Sequence, residues 1–293
     1  MYILYIHVVY TSVARFTGRK QKMAEIISIA NQKGGVSKTT LTHNLACALA
    51  LKKKKVLMVD LDMQASLTFV AGIEDPIAFD GHNIINVLEA EMRRMRRGNI
   101  VRVKDCIHPV GASEELKGYL YIIPSIIDLA QTEQSMIAWG AKRDFFLQRA
   151  LKSVQDDFDY ILIDCPPSLG ELTLNALVAS DGVLIPCKTD FLSYRGLGQL
   201  TDTILDVQET LNPDLKIYGV IATLFQSRVK TDNQVLHKLQ KHDKYLLTIK
   251  QAAVARQGVL DGISFVEFKP NHEISIAVTQ IADMIISGEL RNE

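Results

Sequence analysis

The sequence predicts an α/β fold in which helices cover both faces of a predominantly parallel, twisted sheet. Short apolar runs recur along the chain, and stretches with helical spacing separate them. The runs are continuously apolar, as in strands that are buried on both faces, and do not alternate with polar residues. A glycine-containing loop directly follows the first run and opens the first helix. Strands that alternate with helices in this way are typical of parallel sheets.

The predicted elements follow one another without an internal repeat. The predicted strands are 26–30, 56–60, 120–123, 160–164, 183–186, 217–223 and 246–249. The predicted helices are 39–51, 83–97, 142–155, 172–180, 195–211, 231–241 and 274–286. Segment 75–118 has the least regular pattern, so we expect it to be an excursion from the sheet and not a separate domain.

Composition favours one large globular domain. The 293 residues are 47% hydrophobic and 23% charged, which excludes a disordered, collagen-like or disulfide-stapled chain. The 33 basic and 33 acidic residues cancel, which taken alone argues against a dedicated nucleic-acid binder. The charge is unevenly distributed, however. Segment 228–256 holds seven bases and two acids, a net +5, and segment 257–293 holds two bases and six acids, a net −4.

The organised pattern begins at Met23, so we predict one domain over 23–293 preceded by an extension over 1–22. The extension is apolar for about ten residues, fewer than the roughly 20 that span a bilayer, and then basic. It is open to three interpretations: an extra strand, a membrane-touching anchor, or residues upstream of a true start at Met23. Cys47, Cys106, Cys165 and Cys187 show no paired spacing, which favours a reducing cytoplasm.

The strongest functional signal is a phosphate-binding loop between the first strand and the first helix. Its residues are Lys33, Gly34, Gly35, Val36, Ser37, Lys38, Thr39 and Thr40. Backbone N–H groups at such a helix start can surround phosphate oxygens, and the helix dipole adds positive potential. Lys38 can contact the β- and γ-phosphates, and the Thr39 hydroxyl can bind Mg²⁺. The sequence therefore predicts a nucleoside triphosphate site.

Ser37 departs from the common form of this loop, in which glycine precedes the lysine. If the position takes a positive φ, serine costs about 1–2 kcal/mol of strain there. We expect binding to survive because serine keeps its backbone N–H.

The second, upstream lysine gives the loop a close resemblance to a known family. Residues 33–40, KGGVSKTT, resemble the deviant Walker A motif KGGxGKT[ST] of the ParA/MinD group of P-loop ATPases. Residues 60–64 resemble that family's DxDPQ block with Met63 in place of proline, and residues 160–168 resemble its Walker B strand and switch loop. The resemblance covers about residues 25–286. Segments 169–177 and 184–200 resemble the plasmid and chromosome partition branch, the ParA/Soj type.

The resemblance implies roles for individual residues. Lys33 reaches the phosphates of a partner subunit in a nucleotide-sandwich dimer, Asp62 positions the hydrolytic water, and Asp164 is the Walker B acid near Mg²⁺. Independently of the resemblance, Asp60, Asp62 and Asp164 follow two apolar strands at the sheet edge where α/β proteins bind ligands. Pro166 and Pro167 stiffen the loop after Asp164, as a switch element requires.

Two further sites carry weaker signals. By resemblance, Thr223 and the segment after the strand 246–249 hold the adenine, but Lys250-Gln251 replaces the proline that relatives often have there, so the base contacts stay open. The basic segment near the C-terminus matches the part through which the family's ATP-bound dimer binds DNA without sequence preference. The candidate DNA-binding residues are Arg228, Lys230, Lys238, Lys241, Lys250 and Arg256.

The resemblance implies a weak Mg²⁺-dependent ATPase that partitions a plasmid or chromosome. ATP closes a homodimer, the dimer binds nonspecific double-stranded DNA in the nucleoid, and a ParB-type centromere-binding adaptor stimulates hydrolysis and release. The main competing function is a MinD-like membrane-cycling ATPase, against which the acidic C-terminal tail argues. An iron–sulfur reductase of the nitrogenase iron-protein type is a third candidate class. A regulator with decayed ATPase activity, motivated by Ser37, is the fourth.

Overall fold

The computed structural model describes residues 23–79, 81–94, 101–111, 113–256 and 262–292. The predicted extension over 1–22 lies outside these residues, and the predicted domain boundary at Met23 stays a prediction. In the described part of the chain, no helix combines the length and the apolar character needed to cross a membrane.

A predominantly parallel sheet forms the centre of the molecule, as the sequence predicted, and in the described part of the chain it has eight strands where seven were predicted. The strands are β1 (Glu25–Ile29), β2 (Val56–Asp60), β3 (His108–Pro109), β4 (Leu120–Ile123), β5 (Tyr160–Asp164), β6 (Gly182–Lys188), β7 (Lys216–Phe225) and β8 (Tyr245–Lys250). Their spatial order is β3-β4-β2-β5-β1-β6-β7-β8, and every pair is parallel except β3 with β4. The chain crosses over β1 between β5 and β6, so β1 lies at the point where a doubly wound sheet opens a ligand crevice.

The described α-helices are α1 (Lys38–Leu51), α2 (Ser66–Val70), α3 (Ile84–Arg94), α4 (Leu129–Ile137), α5 (Phe146–Lys152), α6 (Glu171–Ala179), α7 (Phe191–Thr210), α8 (Lys230–Leu239), α9 (Phe265–Phe268), α10 (Glu273–Ser287) and α11 (Glu289–Asn292).

Two apolar clusters, one on each face of the sheet, form the core. Helices α1 and α10 pack together on one face through side chains such as Leu45, Leu49 and Ile281. Helices α3 to α7 cover the other face. Helix α1 is buried on nearly all sides from Leu41 to Ala50 because it lies between the sheet and α10.

The predictions for segments 142–155 and 75–118 are wrong in detail. The predicted helix 142–155 is a 3₁₀ turn (Gly140–Phe145) followed by the shorter α5, because the side chain of Asn175 accepts the Leu147 N–H at 3.1 Å, where a longer helix would use a backbone carbonyl. Segment 75–118 does not lie wholly outside the sheet, since it supplies the antiparallel edge strand β3. Short elements of this kind carry little periodicity.

An ion pair between the buried Glu25 and the partly exposed Arg291 fastens the C-terminal end of the described chain to the first strand. The Glu25 side chain is only 6% exposed, and it accepts hydrogen bonds from Tyr218 Oη at 2.5 Å and from Arg291 Nε at 2.6 Å. Arg291 Nη2 bonds the second carboxylate oxygen. This contact joins α11 to β1 at the amino edge of the sheet, opposite the phosphate loop.

Replacing Arg291 with Ala is expected to lower the free energy of unfolding by about 2 kcal/mol. The substitution leaves the Glu25 carboxylate buried with Tyr218 as its remaining partner, which is costlier than losing an exposed pair. Urea unfolding measures the change. The matched control is Lys117→Ala, which removes a pair to Glu114 whose side chains are 74% and 87% exposed, and it should cost less than about 0.5 kcal/mol. Equal losses in the two variants would contradict this account.

Candidate functional site

The loop between β1 and α1 is held in place by Asn31, a residue that sequence analysis did not single out. Asn31 Nδ2 donates to the carbonyl oxygen of Pro186 in β6 at 2.8 Å, and Asn31 Oδ1 accepts the Lys33 N–H at 2.9 Å. Asparagine forms such turns readily, so an asparagine directly after a buried strand was the available signal. The side chain fixes both the start of the loop and its distance from β6.

Ser37 takes the left-handed conformation that the sequence analysis treated as a condition. Its φ and ψ are 74° and 27°, and its hydroxyl makes no capping bond to α1. Gly35 also has a positive φ, of 71°. The strain expected at Ser37 is therefore present, without a hydrogen bond from its side chain to compensate it.

The two lysines of the loop have different environments. Lys38 is 7% exposed, and its Nζ donates to the carbonyl oxygens of Asn31 and Lys33 at 3.0 and 3.1 Å. Burial lowers the pKa of Lys38, and the nearby Asp164 carboxylate opposes that shift. Lys33, by contrast, is exposed on the rim of the loop. One lysine thus lies inside the site and the other faces outward.

Thr39 and Asp164 meet at the start of α1. Thr39 Oγ1 donates to Asp164 Oδ2 at 2.7 Å, and Thr42 Oγ1 lies 3.4 Å from Asp164 Oδ1. Burial, and then the charge of Asp60, raise the pKa of Asp164 to about 8. A buried carboxylate of this kind gains from a nearby cation, and paired carboxylate and hydroxyl oxygens are hard ligands suited to Mg²⁺. These two residues fit a magnesium ion.

The aspartates after β2 separate into two roles. Asp60 is fully buried, and its Oδ2 accepts bonds from Thr68 N at 2.9 Å and Thr68 Oγ1 at 2.7 Å, so it holds α2 in place. Burial raises the pKa of Asp60 to about 6, against the effect of those bonds. Asp62 is only half-buried and lines the main cavity. Of this pair, Asp62 is therefore the one that can contact a bound ligand.

A cavity of about 620 Å³ opens over the phosphate loop. It is lined by Gly34, Gly35, Ser37, Lys38, Thr39, Thr40, Asp62, Ser66, Val70, Pro167 and Ala255. Pro167, in the predicted switch loop, contacts this cavity close to Gly34. The structure thus brings together the predicted loop, the predicted water-positioning aspartate and the switch proline around one space, with Asp164 bonded to Thr39 beneath it.

Thr223 lies beside the cavity and not on its lining. It is buried, and its Oγ1 donates to the carbonyl oxygen of Val36 at 2.9 Å, which supports the loop from β7. Thr223 also lines a small adjoining recess that is almost entirely apolar, together with Leu41, Ile249 and Phe265. The recess measures about 40 Å³, which is less than a planar base needs, so the adenine contacts predicted for Thr223 and the segment after β8 stay a prediction.

The candidate DNA-binding residues are divided by the fold. Arg228, Lys230, Lys238 and Lys241 are exposed on α8 and its ends. Lys250 lies at the end of β8, where its Nζ pairs with Glu273 at 2.7 Å. The side chain of Arg256 lies outside the described side chains.

The cysteines do not form a cluster site in the described structure. All four are free and buried. Burial raises the pKa of the Cys165 thiol, which makes it a poor nucleophile. Among the described residues, no group of three or more His, Cys, Asp or Glu side chains is placed to hold a metal ion.

The fold and the site define a P-loop nucleotide-binding protein with the deviant, two-lysine loop. A family model described as an AAA domain matches residues 24–217. The sporulation initiation inhibitor protein Soj of Bacillus subtilis is 39% identical over 229 residues, which are 78% of this chain and 84% of that protein. The chain therefore belongs to the ParA/MinD-type P-loop ATPases, in the branch of the ParA/Soj partition proteins.

Solved structures share the fold. A plasmid partition protein of Borrelia burgdorferi bound to AMPPNP has a TM-score of 0.73 and 29% identity over 90% of this chain and 99% of that one. Cobyrinic acid a,c-diamide synthase of Mycobacterium smegmatis, bound to ADP and magnesium, has a TM-score of 0.75 and 32% identity over 92% and 97%. The cell division ATPase MinD of Pyrococcus furiosus has a TM-score of 0.67 and 28% identity over 90% and 99%.

Replacing Ser37 with Gly is expected to raise the free energy of unfolding by about 0.5–1 kcal/mol. Glycine removes about 1–2 kcal/mol of left-handed strain, and its more flexible unfolded chain takes back about 0.4–1 kcal/mol. Chemical denaturation checks the change. Ser37→Ala is the matched control, because it removes the hydroxyl and keeps the strained Cβ. If the alanine variant is stabilised as much as the glycine variant, the strain is not the cause.

Proposed function

We propose that this partition ATPase is a weak Mg²⁺-dependent ATPase whose ATP-bound dimer binds DNA nonspecifically. Hydrolysis, stimulated by a ParB-type centromere-binding adaptor, releases the DNA, and the cycle positions a plasmid or chromosome on the nucleoid in the cytoplasm. The observation that carries the proposal is the cavity lined by the two-lysine loop and Asp62. Relatives named as partition proteins support the cargo class.

The proposed ligand of the cavity is ATP with Mg²⁺. The loop N–H groups and Lys38 would bind the phosphates, and Thr39 and Asp164 would hold the metal, which neutralises charge on the phosphate oxygens when bound. Lys38 now donates to two loop carbonyl oxygens, so its Nζ is already placed inside the loop and needs only to exchange partners. The adenine would lie toward the apolar recess beside Thr223, which would have to widen to admit the base.

Asp62 is the proposed residue that orients the attacking water. It lines the cavity together with the start of α1, and its Oδ1 accepts the Gln64 N–H at 3.0 Å, which restrains the side chain. A carboxylate in this position can hold a water by hydrogen bonding in line with a phosphate.

Lys33 is the proposed contact between subunits. Its exposed side chain starts from a loop whose backbone is fixed by Asn31, so the point from which it extends is set before a partner arrives. A second copy approaching this edge of the sheet would bring Lys33 to the other nucleotide. Because each subunit would then complete the nucleotide site of its partner, dimerisation would depend on ATP.

The basic residues of α8 are the proposed DNA contacts. At about 100° per residue, Lys230 and Lys238 lie about 80° apart around the helix, and Lys241 lies just beyond its C-terminal end. Lys238 Nζ also lies over the Tyr194 ring, 5.6 Å from its centroid, which places α8 beside α7. A few lysines on one face give weak, salt-sensitive binding to phosphates without base recognition. Dimerisation would double the number of such contacts.

The long helix near the C-terminus, α10, gives little support to a MinD-like membrane cycle. The apolar face of α10 is buried against α1, through Ile274, Val278 and Ile281 among others. A membrane-binding helix needs that kind of face exposed and flanked by bases. We therefore place the membrane cycle second.

The chain is expected to hold linear duplex DNA of mixed sequence more tightly with ATP than with ADP. Charge reversal at Arg228 and Lys230 should weaken DNA binding in the ATP state at least tenfold at low salt. For the wild type, the difference in DNA affinity between the ATP and ADP states should shrink as the salt concentration rises. Filter retention across a salt series measures both effects.

The matched control reverses Lys104 and Lys117, exposed lysines outside the basic segment, and should leave retention unchanged. Liposomes of anionic lipid, pelleted in parallel with ATP, test the membrane cycle. Equal retention of DNA with ATP and ADP, or pelleting with liposomes only, would contradict the proposed function.

A further inference from the structure

Helix α8 contains one buried acid among its exposed bases. Asp232, in the first turn, is 9% exposed, although the helix and its flanks otherwise present basic side chains to solvent. An acid in a proposed DNA-binding helix weakens attraction to phosphates. Its burial indicates that it serves a contact inside the protein.

That contact joins α8 to the carboxyl ends of two neighbouring strands. Asp232 Oδ2 accepts from Thr189 Oγ1 at 2.9 Å and from the backbone N–H of Gln226 at 3.1 Å. Thr189 directly follows β6, and Gln226 directly follows β7. One carboxylate oxygen therefore fixes the start of α8 to the ends of both strands.

The same strand ends contact the phosphate loop. The Thr189 N–H donates to the carbonyl oxygen of Thr223 at 3.3 Å, and Thr223 Oγ1 donates to the carbonyl oxygen of Val36 at 2.9 Å. Between Thr223 and Gln226, Leu224 has a φ of 54°, a strained value for a bulky residue, and the pairing of β7 with β8 is irregular at this point. A continuous set of hydrogen bonds thus runs from Val36 to α8.

These contacts are buried and directional. Thr189 and Thr223 are almost fully buried, so solvent water cannot replace a hydrogen-bond partner that either hydroxyl loses. A bond to an ionised carboxylate is stronger than a bond between neutral groups. A shift of the loop at Val36 on binding phosphate would therefore be passed to α8 and not absorbed by solvent.

We propose that Thr189 and Asp232 are positioning residues that make the placement of the basic face of α8 depend on the nucleotide in the phosphate loop. The inference rests on the proposed function, because it concerns how ATP and ADP states differ in DNA affinity. Neither residue touches the nucleotide cavity. Their role is to connect the loop to the helix.

The test is the ratio of DNA dissociation constants with ADP and with ATP, measured on linear duplex DNA of mixed sequence. Thr189→Val removes the hydroxyl donor and keeps the shape, so the ratio should fall at least about fivefold, through weaker binding in the ATP state. Thr189→Ser restores a donor to Asp232 and should return the ratio to the wild-type value. ATP affinity should not change in either variant.

Asp232 provides a second pair of variants. Asp232→Asn keeps an acceptor oxygen and removes a charge, so DNA binding should tighten in both states while the ratio is kept. Asp232→Ala removes the acceptor and the charge, so the ratio should fall even though the net charge equals that of the asparagine variant. The comparison separates the hydrogen bonds from simple electrostatics, and thermal unfolding of each variant verifies that it is folded.

The outcomes are distinguishable. A wild-type ratio in Thr189→Val, or failure of Thr189→Ser to restore it, would overturn the inference and leave the proposed function intact. Loss of ATP-dependent dimerisation in folded Thr189→Val, seen by sedimentation, would also overturn it, because the defect would then lie in the dimer. If the wild type itself binds DNA equally in both states, the proposed function fails and this inference fails with it.

Discussion

The hydrogen bond from Thr39 to the buried carboxylate of Asp164 is the contact on which the site depends. This bond joins the start of α1 to the end of β5. Strand β5 pairs with β1, and the phosphate loop leads from β1 to α1. A carboxylate buried this deeply is costly unless it is bonded or paired with a cation. The same constraint explains why Lys38, Thr39 and Thr42 lie beside this carboxylate and why a magnesium ion would fit next to it.

Further support for the loop comes from its neighbours. Asn31 ties its start to β6, and Thr223 ties its end to β7. Asp60 fixes α2, which forms the far wall of the cavity. The loop is thus held by side chains from several strands before any ligand binds, and a preorganised site loses less entropy when phosphate arrives. Of these contacts, the one from Thr223 also belongs to the proposed connection between the loop and α8.

The sequence was sufficient to predict the parallel strands and the phosphate loop because those features are local. Lys38, Thr39 and Asp164 follow strand patterns that fix where they lie at the sheet edge. The separation of Asp60 from Asp62 was not predictable, since it depends on Thr68 folding back onto β2. The pairing of Lys250 with Glu273 and the burial of Asp232 likewise arise from contacts between distant segments. Sequence spacing does not specify such contacts.

In the proposed dimer, the two lysines of one loop serve the nucleotides of two different subunits. Sedimentation of the wild type, Lys33→Ala and Asp62→Ala with Mg²⁺ and ATP tests it most directly. We expect Asp62→Ala to persist as a dimer because ATP is bound and not hydrolysed, and Lys33→Ala to bind ATP yet sediment as a monomer. A Lys33→Ala variant that dimerises as fully as Asp62→Ala would contradict the account.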